Sequence, residues 1–292
     1  MKAALFAINF IEELEPYYIE LLEKLKYYNF TLCIYKPFFD QLLKNGIVSQ
    51  SNEVFNSFED IKSNVDFFFS VGGDGTLLKT IPLIRDSGIP VLGFNTGRLG
   101  FLSGISKDEI TEAIECIIEK KYTIEKRALI RLNKPIGLFG ENNFGLNEIT
   151  VHKRDSSSMI TIQAYINDVF LNTYWADGLI ISTPTGSTAY SLSCGGPIVA
   201  PDSSNFIITP ISIHNLTVRP LVIPDDVRIK LKIEGREDNY LVTLDSNNIV
   251  TSSSIELEIV KEYFCINIVQ LNKHSFFSTI REKLMWGWDK RN

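Results

Sequence analysis

The chain has 292 residues, a formal net charge of −6 and 22% charged residues, so it is long enough for two domains, and an acidic balance without a long basic run disfavours nucleic acid as its main partner. Its four cysteines, Cys33, Cys116, Cys194 and Cys265, lie far apart with no Cys-x-x-Cys pair, which argues against a structural zinc or a disulfide framework and fits a reducing cytoplasm. No apolar run approaches the ~18 residues that would suggest a membrane span.

The opening apolar run Ala3 to Asn9 reads as a first strand: Glu12, Glu13 and Glu15 follow at once and no small-residue cleavage site appears. A helix is expected from about Pro16 to Tyr28 and strands at Thr31 to Tyr35, Asp66 to Val71 and Pro90 to Phe94. Strands alternating with helices imply a parallel α/β sheet. Asp108 to Lys121 predicts a further helix, with Ile110, Ala113, Ile114, Ile117 and Ile118 on one face.

The strand Asp66 to Val71 leads into Gly72-Gly73-Asp74-Gly75-Thr76, and Leu77, Leu78 and Ile81 leave it with helical spacing. Pro82 predicts a kink or a short first helical segment, because an interior proline costs about 3 kcal/mol. Glycines at such a turn let backbone amides approach a phosphate, and a helix N-terminus favours negative charge. An ordinary strand-to-helix turn with Asp74 as cap explains the same residues. A carboxylate repels phosphate, however, so Asp74 suits a metal ion or a substrate hydroxyl better. A second glycine-rich strand end, Asn95 to Leu102 (NTGRLGFL), could line the same crevice.

From about Tyr122 the periodicity changes to two. Ile160, Ile162, Ala164 and Ile166 precede an Asn167-Asp168 turn with Val169 to Trp175 returning, and Val227 to Ile233 and Ile255 to Ile259 alternate likewise. This half is expected to be all-β with two packed sheets in a sandwich-like arrangement. The end returns to helix at Phe276, Phe277, Ile280, Leu284 and Met285, with Trp286 and Trp288 after it.

Two segments of the β half carry polar groups in unusual density. Asn147-Glu148 could hold the paired hydroxyls of a ribose, since the amide offers donors and an acceptor and the carboxylate accepts; a solvated loop is the plain alternative. Asp177 to Pro197, DGLIISTPTGSTAYSLSCGGP, runs a buried-strand signature into a hydroxyl-rich loop. Ser182, Thr183, Thr185, Ser187 and Thr188 could bond a heterocycle or phosphate oxygens, Gly186 and Ala189 permit close approach, Tyr190 offers a stacking face, and Asp177 could accept from an amine. A helix start at Ser187 to Ser193 is expected as well. His152, His214 and His274 are isolated and suggest no triad. Arg219-Pro220 and Asp245 read as turns or weak site candidates.

GGDGT, NTGRLGFL, Asn147-Glu148 and DGLIISTPTGSTAYSLSCGGP, in this order, resemble the bacterial NAD kinase family, over about Asp66 to Pro224. GGDGT alone is shared with diacylglycerol and sphingosine kinases; the long Ser/Thr motif is the specific one. The resemblance implies an N-terminal Rossmann-like α/β domain (1–125), a β-rich NAD-binding domain (126–272) and a final segment (273–292) packing back on the first. It implies transfer of the γ-phosphoryl of ATP to the 2′-hydroxyl of the adenosine ribose of NAD, with Mg²⁺ held mainly by phosphates and no protein metal site. Asp74 would then be the catalytic carboxylate. Gly72, Gly73, Gly75 and Thr76 would face phosphates with Lys79 one turn on, and Asn95 would join the nucleotide contacts. Asn147 and Glu148 would hold ribose, while Asp177, Thr185, Thr188, Ala189, Tyr190, Ser191, Leu192 and Ser193 would surround the bases.

A homodimer or homotetramer built through the β domain is expected on the same ground, with no membrane or nucleic-acid partner. The chain departs from the family pattern at Trp175, where many members carry Arg, and at Asp245-Ser246-Asn247, where many carry Asp-Gly-Gln. Two rival readings share the main features: a lipid kinase, disfavoured by the acidic composition and the hydroxyl-rich loop, and a non-catalytic dinucleotide-binding regulator, disfavoured by the retention of Asp74.

Overall fold

The computed structural model describes residues 1–97, 100–154, 159–234, 239–252, 255–271 and 275–287. The chain divides into two compact units, Met1–Lys126 with Ile266–Asn292, and Arg127–Cys265. Both boundaries fall inside strands, so the return to the first unit occurs within Glu256–Leu271 rather than after it.

The first unit is built on a parallel sheet whose strands lie in the order Val91–Phe94, Phe67–Val71, Lys2–Phe6, Thr31–Tyr35, Glu53–Phe55. The last part of Glu256–Leu271 joins beside Val91–Phe94, also in parallel, through Ile268 and Val91. In chain order this is the 3-2-1-4-5 arrangement of doubly wound folds, with its reversal point between Lys2–Phe6 and Phe67–Val71. Phe67–Val71 is buried at every residue, as a parallel strand covered on both faces requires. The helices Glu15–Tyr27, Lys36–Lys44 and Ile110–Ile118 cover the sheet, and their apolar faces, including Leu21, Leu25, Phe38, Leu42, Ile114 and Ile117, enter the core with Leu5, Ile34 and Phe69.

Pro82 has the expected effect. The helix Asp74–Leu78 stops, and Ile81–Ile84 begins afresh with the proline in its first turn, where its missing N–H costs nothing. Between Tyr35 and Asp66 the sequence reading assigned no element, yet the structure holds the helix Lys36–Lys44, the strand Glu53–Phe55 and the short helix Phe58–Ile61. The overlooked signals were local: Pro37 in a first turn, Phe38, Phe39 and Leu42 on one buried face, and a Ser57/Asp60 capping box.

The second unit holds two sheets with antiparallel pairing. One pairs Val169–Ala176, Ile160–Ile166, Ile229–Glu234 and Glu256–Leu271, with Tyr122–Lys134 and Phe144–Gly145 alongside. The other runs Leu221–Pro224, Asn205–Ile211, Gly178–Ser182, Glu148–Lys153, Asn239–Leu244, Asn247–Ser252. Inward-facing residues of both sheets, such as Ile162, Ala164, Ile149 and Leu179, form one core. Asn167 and Asp168 turn the first hairpin in the left-handed region, φ 48° and 66°, opposing Val169 to Ile166. Such a two-residue turn matches the strand twist. Among the described residues, no helix is long and apolar enough to cross a membrane.

Candidate active site

Each unit presents one cluster of the residues that the sequence singled out. In the first, Phe67–Val71 carries the glycine turn to the carboxyl end of the sheet beside its reversal point, where open α/β sheets take ligands. Gly72 is buried at φ 147°, and a β-carbon there would lie 2.2 Å from Thr76 Oγ1. Its missing side chain therefore makes room for Thr76. Gly73 and Gly75 are exposed with open space beside their Cα atoms, the arrangement that an approaching anion would use, and Lys79 is exposed one turn on.

Asp74 does not cap its own helix. Its Oδ2 accepts from the N–H of Phe101 at 2.8 Å, and its Oδ1 from those of Leu102 at 3.0 Å and Ser103 at 2.9 Å. Three of the roughly four lone-pair positions of a carboxylate are thus taken, and the remaining one is on Oδ2. The loop reaches this close only because residue 100 is glycine: a β-carbon there would fall 1.8 Å from Asp74 Oδ1. Asn95, buried, braces the same loop by donating its amide to the Ser103 carbonyl at 3.1 Å and accepting from the Gly97 N–H at 2.7 Å. Arg98 and Leu99 of this motif lie outside the described residues. The sequence reading missed Lys283, whose Nζ is 3.7 Å from Asp74 Oδ2 and 4.6 Å from the Phe101 ring centroid. Lys283 lies between Ile280 and Leu284 on a helix whose sequence signal is its apolar spacing, and nothing local marks its partner.

In the second unit, Asn147 and Glu148 stand at the head of the strand Glu148–Lys153, and Asp245 fixes them there. Its Oδ2 accepts from the Leu146 N–H at 2.7 Å, and its Oδ1 from those of Asn147 at 2.8 Å and Glu148 at 3.1 Å. Asp245 is itself at φ 50° and donates its N–H to the Glu148 carbonyl at 3.0 Å. Withdrawal from water pushes the Asp245 carboxyl up while the three amides pull it down. The net effect holds Asp245 above the usual carboxylate range; since such donors favour the charged form, Glu148, with one backbone donor against three, is the carboxyl that keeps a proton more readily. Burial, reinforced by the charge of Asp245 and opposed by the Tyr190 backbone N–H, pushes Glu148 up to about 8. Its Oε2 is buried without a hydrogen-bond partner within the protein. Glu148 is therefore an acid at neutral pH and a hydrogen-bond donor to whatever meets it.

This proton links to stability. The folded state holds it more tightly than the unfolded chain, so the contribution is full below the ordinary value of 4.5 and disappears as pH rises through about 8. Glu148→Gln, which mimics the neutral acid, should match wild type in melting temperature near pH 5. It should exceed wild type increasingly up to pH 8 and then level off, by on the order of 4–5 kcal/mol. A melting difference that does not change between pH 5 and 9 would remove the proton from Glu148.

The hydroxyl-rich loop follows the fully buried strand Gly178–Ser182 as the turn Thr185–Thr188 and the short helix Tyr190–Ser193. Several hydroxyls expected to meet a ligand are spent internally. Thr183 donates to the Leu146 carbonyl at 2.6 Å, Thr185 accepts from Arg127 at 3.3 Å, Thr188 donates to the Thr185 carbonyl at 3.1 Å, and Ser191 pairs with Thr209 at 2.8 Å. They shape the loop against Asn147, whose carbonyl would lie 2.1 Å from a β-carbon at Gly186. What remains outward is Tyr190 and Ser193, with Ala189 and Leu192 half-buried. Tyr190 lies nearly parallel to His152, ring centroids 6.4 Å apart, with its hydroxyl 3.2 Å from Nε2. Asp177 is paired with Lys153 at 2.6 Å, a partner the sequence reading did not name. Trp175 stands exposed on the edge strand Val169–Ala176.

Comparison with known proteins adds a second line of argument. Residues 31–122 match the family model of the ATP-NAD kinase N-terminal domain and residues 146–271 that of the ATP-NAD kinase C-terminal domain. The chain is 46% identical to an NAD kinase of Flavobacterium psychrophilum and 47% identical to one of Cytophaga hutchinsonii, in each case over all of both chains. In fold it resembles a yeast NADH kinase complexed with NADH, with a TM-score of 0.85 and 24% identity, covering 99% of this chain and 89% of that one. It also resembles an Archaeoglobus fulgidus NAD kinase in complex with ATP, with a TM-score of 0.76 and 26% identity, covering 98% and 99%. With both domain models matched in order and relatives of this identity over the full length, the chain belongs to the ATP-NAD kinase family.

Proposed function

We propose that the chain transfers the γ-phosphoryl of ATP to the 2′-hydroxyl of the adenosine ribose of NAD, giving NADP and ADP. The observation that carries this reading is Asp74: three amides fix it, yet one lone-pair position on Oδ2 remains for a hydroxyl. In the reaction the ribose oxygen bonds to the γ-phosphorus as the bond to the bridging β,γ-oxygen breaks. The hydroxyl proton passes late to Asp74 Oδ2, and ADP carries away the electron pair. The transition state is loose, so alignment and charge stabilisation supply most of the rate. Mg²⁺ enters with the triphosphate as part of the substrate.

Gly72, Gly73, Gly75 and Thr76 form the turn facing the phosphates, Gly73 and Gly75 by their open approach, with Lys79 beyond. Asn95 acts through the loop that it braces. Asn147 and neutral Glu148 hold ribose, Glu148 donating rather than accepting. Tyr190 offers its face to a base with Ala189, Leu192 and Ser193 beside it, while Thr185, Thr188 and Ser191 shape the loop from within and Asp177 stands at the start of the strand that leads to it. The exposed Val169, Phe170 and Trp175 on an edge strand support a homodimer or homotetramer through the β unit, which light scattering would measure. Four free cysteines support a cytoplasmic setting.

The test is an assay with purified protein, NAD, ATP and Mg²⁺, read through an NADP-specific dehydrogenase. NADP formed in proportion to ADP is the expected result. Binding of NAD without product from ATP or another phosphoryl donor would turn the reading to a dinucleotide-binding module.

A further inference from the structure

A carboxylate placed where a triphosphate must react is an electrostatic problem. Like charges a few ångströms apart in a partly buried site repel far more strongly than in bulk water, and a triphosphate beside Asp74 carries several. The first unit holds a counter-charge. The C-terminal helix Phe276–Leu284 starts at a Ser275/Ser278 capping box, with the Ser278 N–H donating to Ser275 Oγ at 3.1 Å. Phe276 sets its ring 6.5 Å from that of Phe101, and Ile280 is buried. Two turns along, Lys283 stands over the same Phe101 ring, 3.7 Å from Asp74 Oδ2. The residue under the ammonium is thus the one whose N–H holds Asp74 Oδ2. At 34% and 28% exposure, the lysine and aspartate side chains are open enough for a substrate to reach and closed enough for their charges to be felt.

We propose that Lys283 is a positioning residue for phosphoryl transfer: it offsets the charge of Asp74, so that the carboxylate and the triphosphate can occupy one site, and it holds Oδ2 toward the acceptor hydroxyl. The C-terminal helix is on this reading part of the reaction machinery as well as of the core. The inference rests on Asp74 as the proton acceptor. Its contribution is realised when phosphate and carboxylate meet, so it belongs to turnover rather than to NAD binding.

The experiment is steady-state kinetics of Lys283→Met and Lys283→Arg, with Asp74→Asn alongside and the melting temperature of each. Lys283→Met should lower kcat by about tenfold or more, the scale left to a partly exposed charge pair after solvent screening. KM for NAD should stay within about twofold, since no NAD contact is removed. Lys283→Arg keeps the charge and should recover most of kcat. Full kcat in a folded Lys283→Met enzyme overturns the proposal. So does an Arg variant as impaired as the Met variant, because packing rather than charge would then be responsible. If Asp74→Asn retains turnover, the reading beneath it has failed; if that variant is inactive while Lys283→Met is normal, only the role of Lys283 has.

Discussion

Asp74→Asn should lower kcat by about 100- to 10,000-fold, the range that a positioned general base contributes, while the chain still folds. The two effects of this change can be separated because the carboxylate does two things. Its oxygens accept from the N–H groups of Phe101, Leu102 and Ser103, and one lone-pair position is left, which the proposed reaction gives to the ribose hydroxyl. Asparagine supplies one oxygen and one NH₂, so either the Phe101 amide or the Leu102 and Ser103 pair meets a donor. Leaving such a donor without an acceptor costs about 1–3 kcal/mol, so some loss of melting temperature accompanies the loss of turnover. That loss is below the ~5–15 kcal/mol typical of a folded domain, and the first unit keeps a core built on six parallel strands and three helices. The measurement is kcat and melting temperature together. Near-normal kcat in the folded variant would remove Asp74 from the mechanism.

The sequence disclosed the elements whose signals are local and repeated. Phe67–Val71 was legible as an apolar run into glycines, Ile160–Ile166 and Val169–Ala176 as alternation about an Asn-Asp turn, and the split after Leu78 from Pro82. Lys36–Lys44 was missed because only Phe38, Phe39 and Leu42 mark its buried face, against four buried positions in the equally long Ile110–Ile118. The residues of the site were legible by type but not by employment. Nine hydroxyl or glycine residues in one loop pointed to ligand contacts, yet Thr183, Thr185 and Ser191 turn inward. A hydroxyl bonds a backbone carbonyl as readily as a nucleotide, and only the fold decides which lies nearer. Lys153 and Lys283 were illegible for a different reason: each meets its carboxylate from another part of the chain, 24 residues from Asp177 and 209 from Asp74 by sequence number.

Asp245 shows the same limit most sharply, and it carries the second large prediction. In the sequence it sits in a turn, Leu244-Asp245-Ser246-Asn247. In the structure its carboxylate collects the N–H groups of Leu146, Asn147 and Glu148 across about a hundred positions of chain. Asp245→Ala should therefore destabilise the second unit by about 3 kcal/mol, since three amides lose their acceptor at about 1 kcal/mol or more each and Leu146 and Glu148 are buried. In a chain of this size that corresponds to a melting temperature lower by roughly 5–10 °C. The functional loss should exceed the structural one, because the amides released are those that aim Asn147 and Glu148. KM for NAD should rise by about tenfold or more, as removal of a binding contact predicts. Removing the Asp245 charge also takes away one of the two causes that raise the Glu148 carboxyl, so the decline in stability from pH 5 to 8 should become shallower in this variant. Asp245→Asn, which keeps one acceptor oxygen, should fall between the two in both melting temperature and KM. Wild-type melting and wild-type KM in Asp245→Ala would show that the strand head holds its shape without the carboxylate, and the aim of Asn147 and Glu148 would then have to come from the Gly178–Ser182 strand beside them.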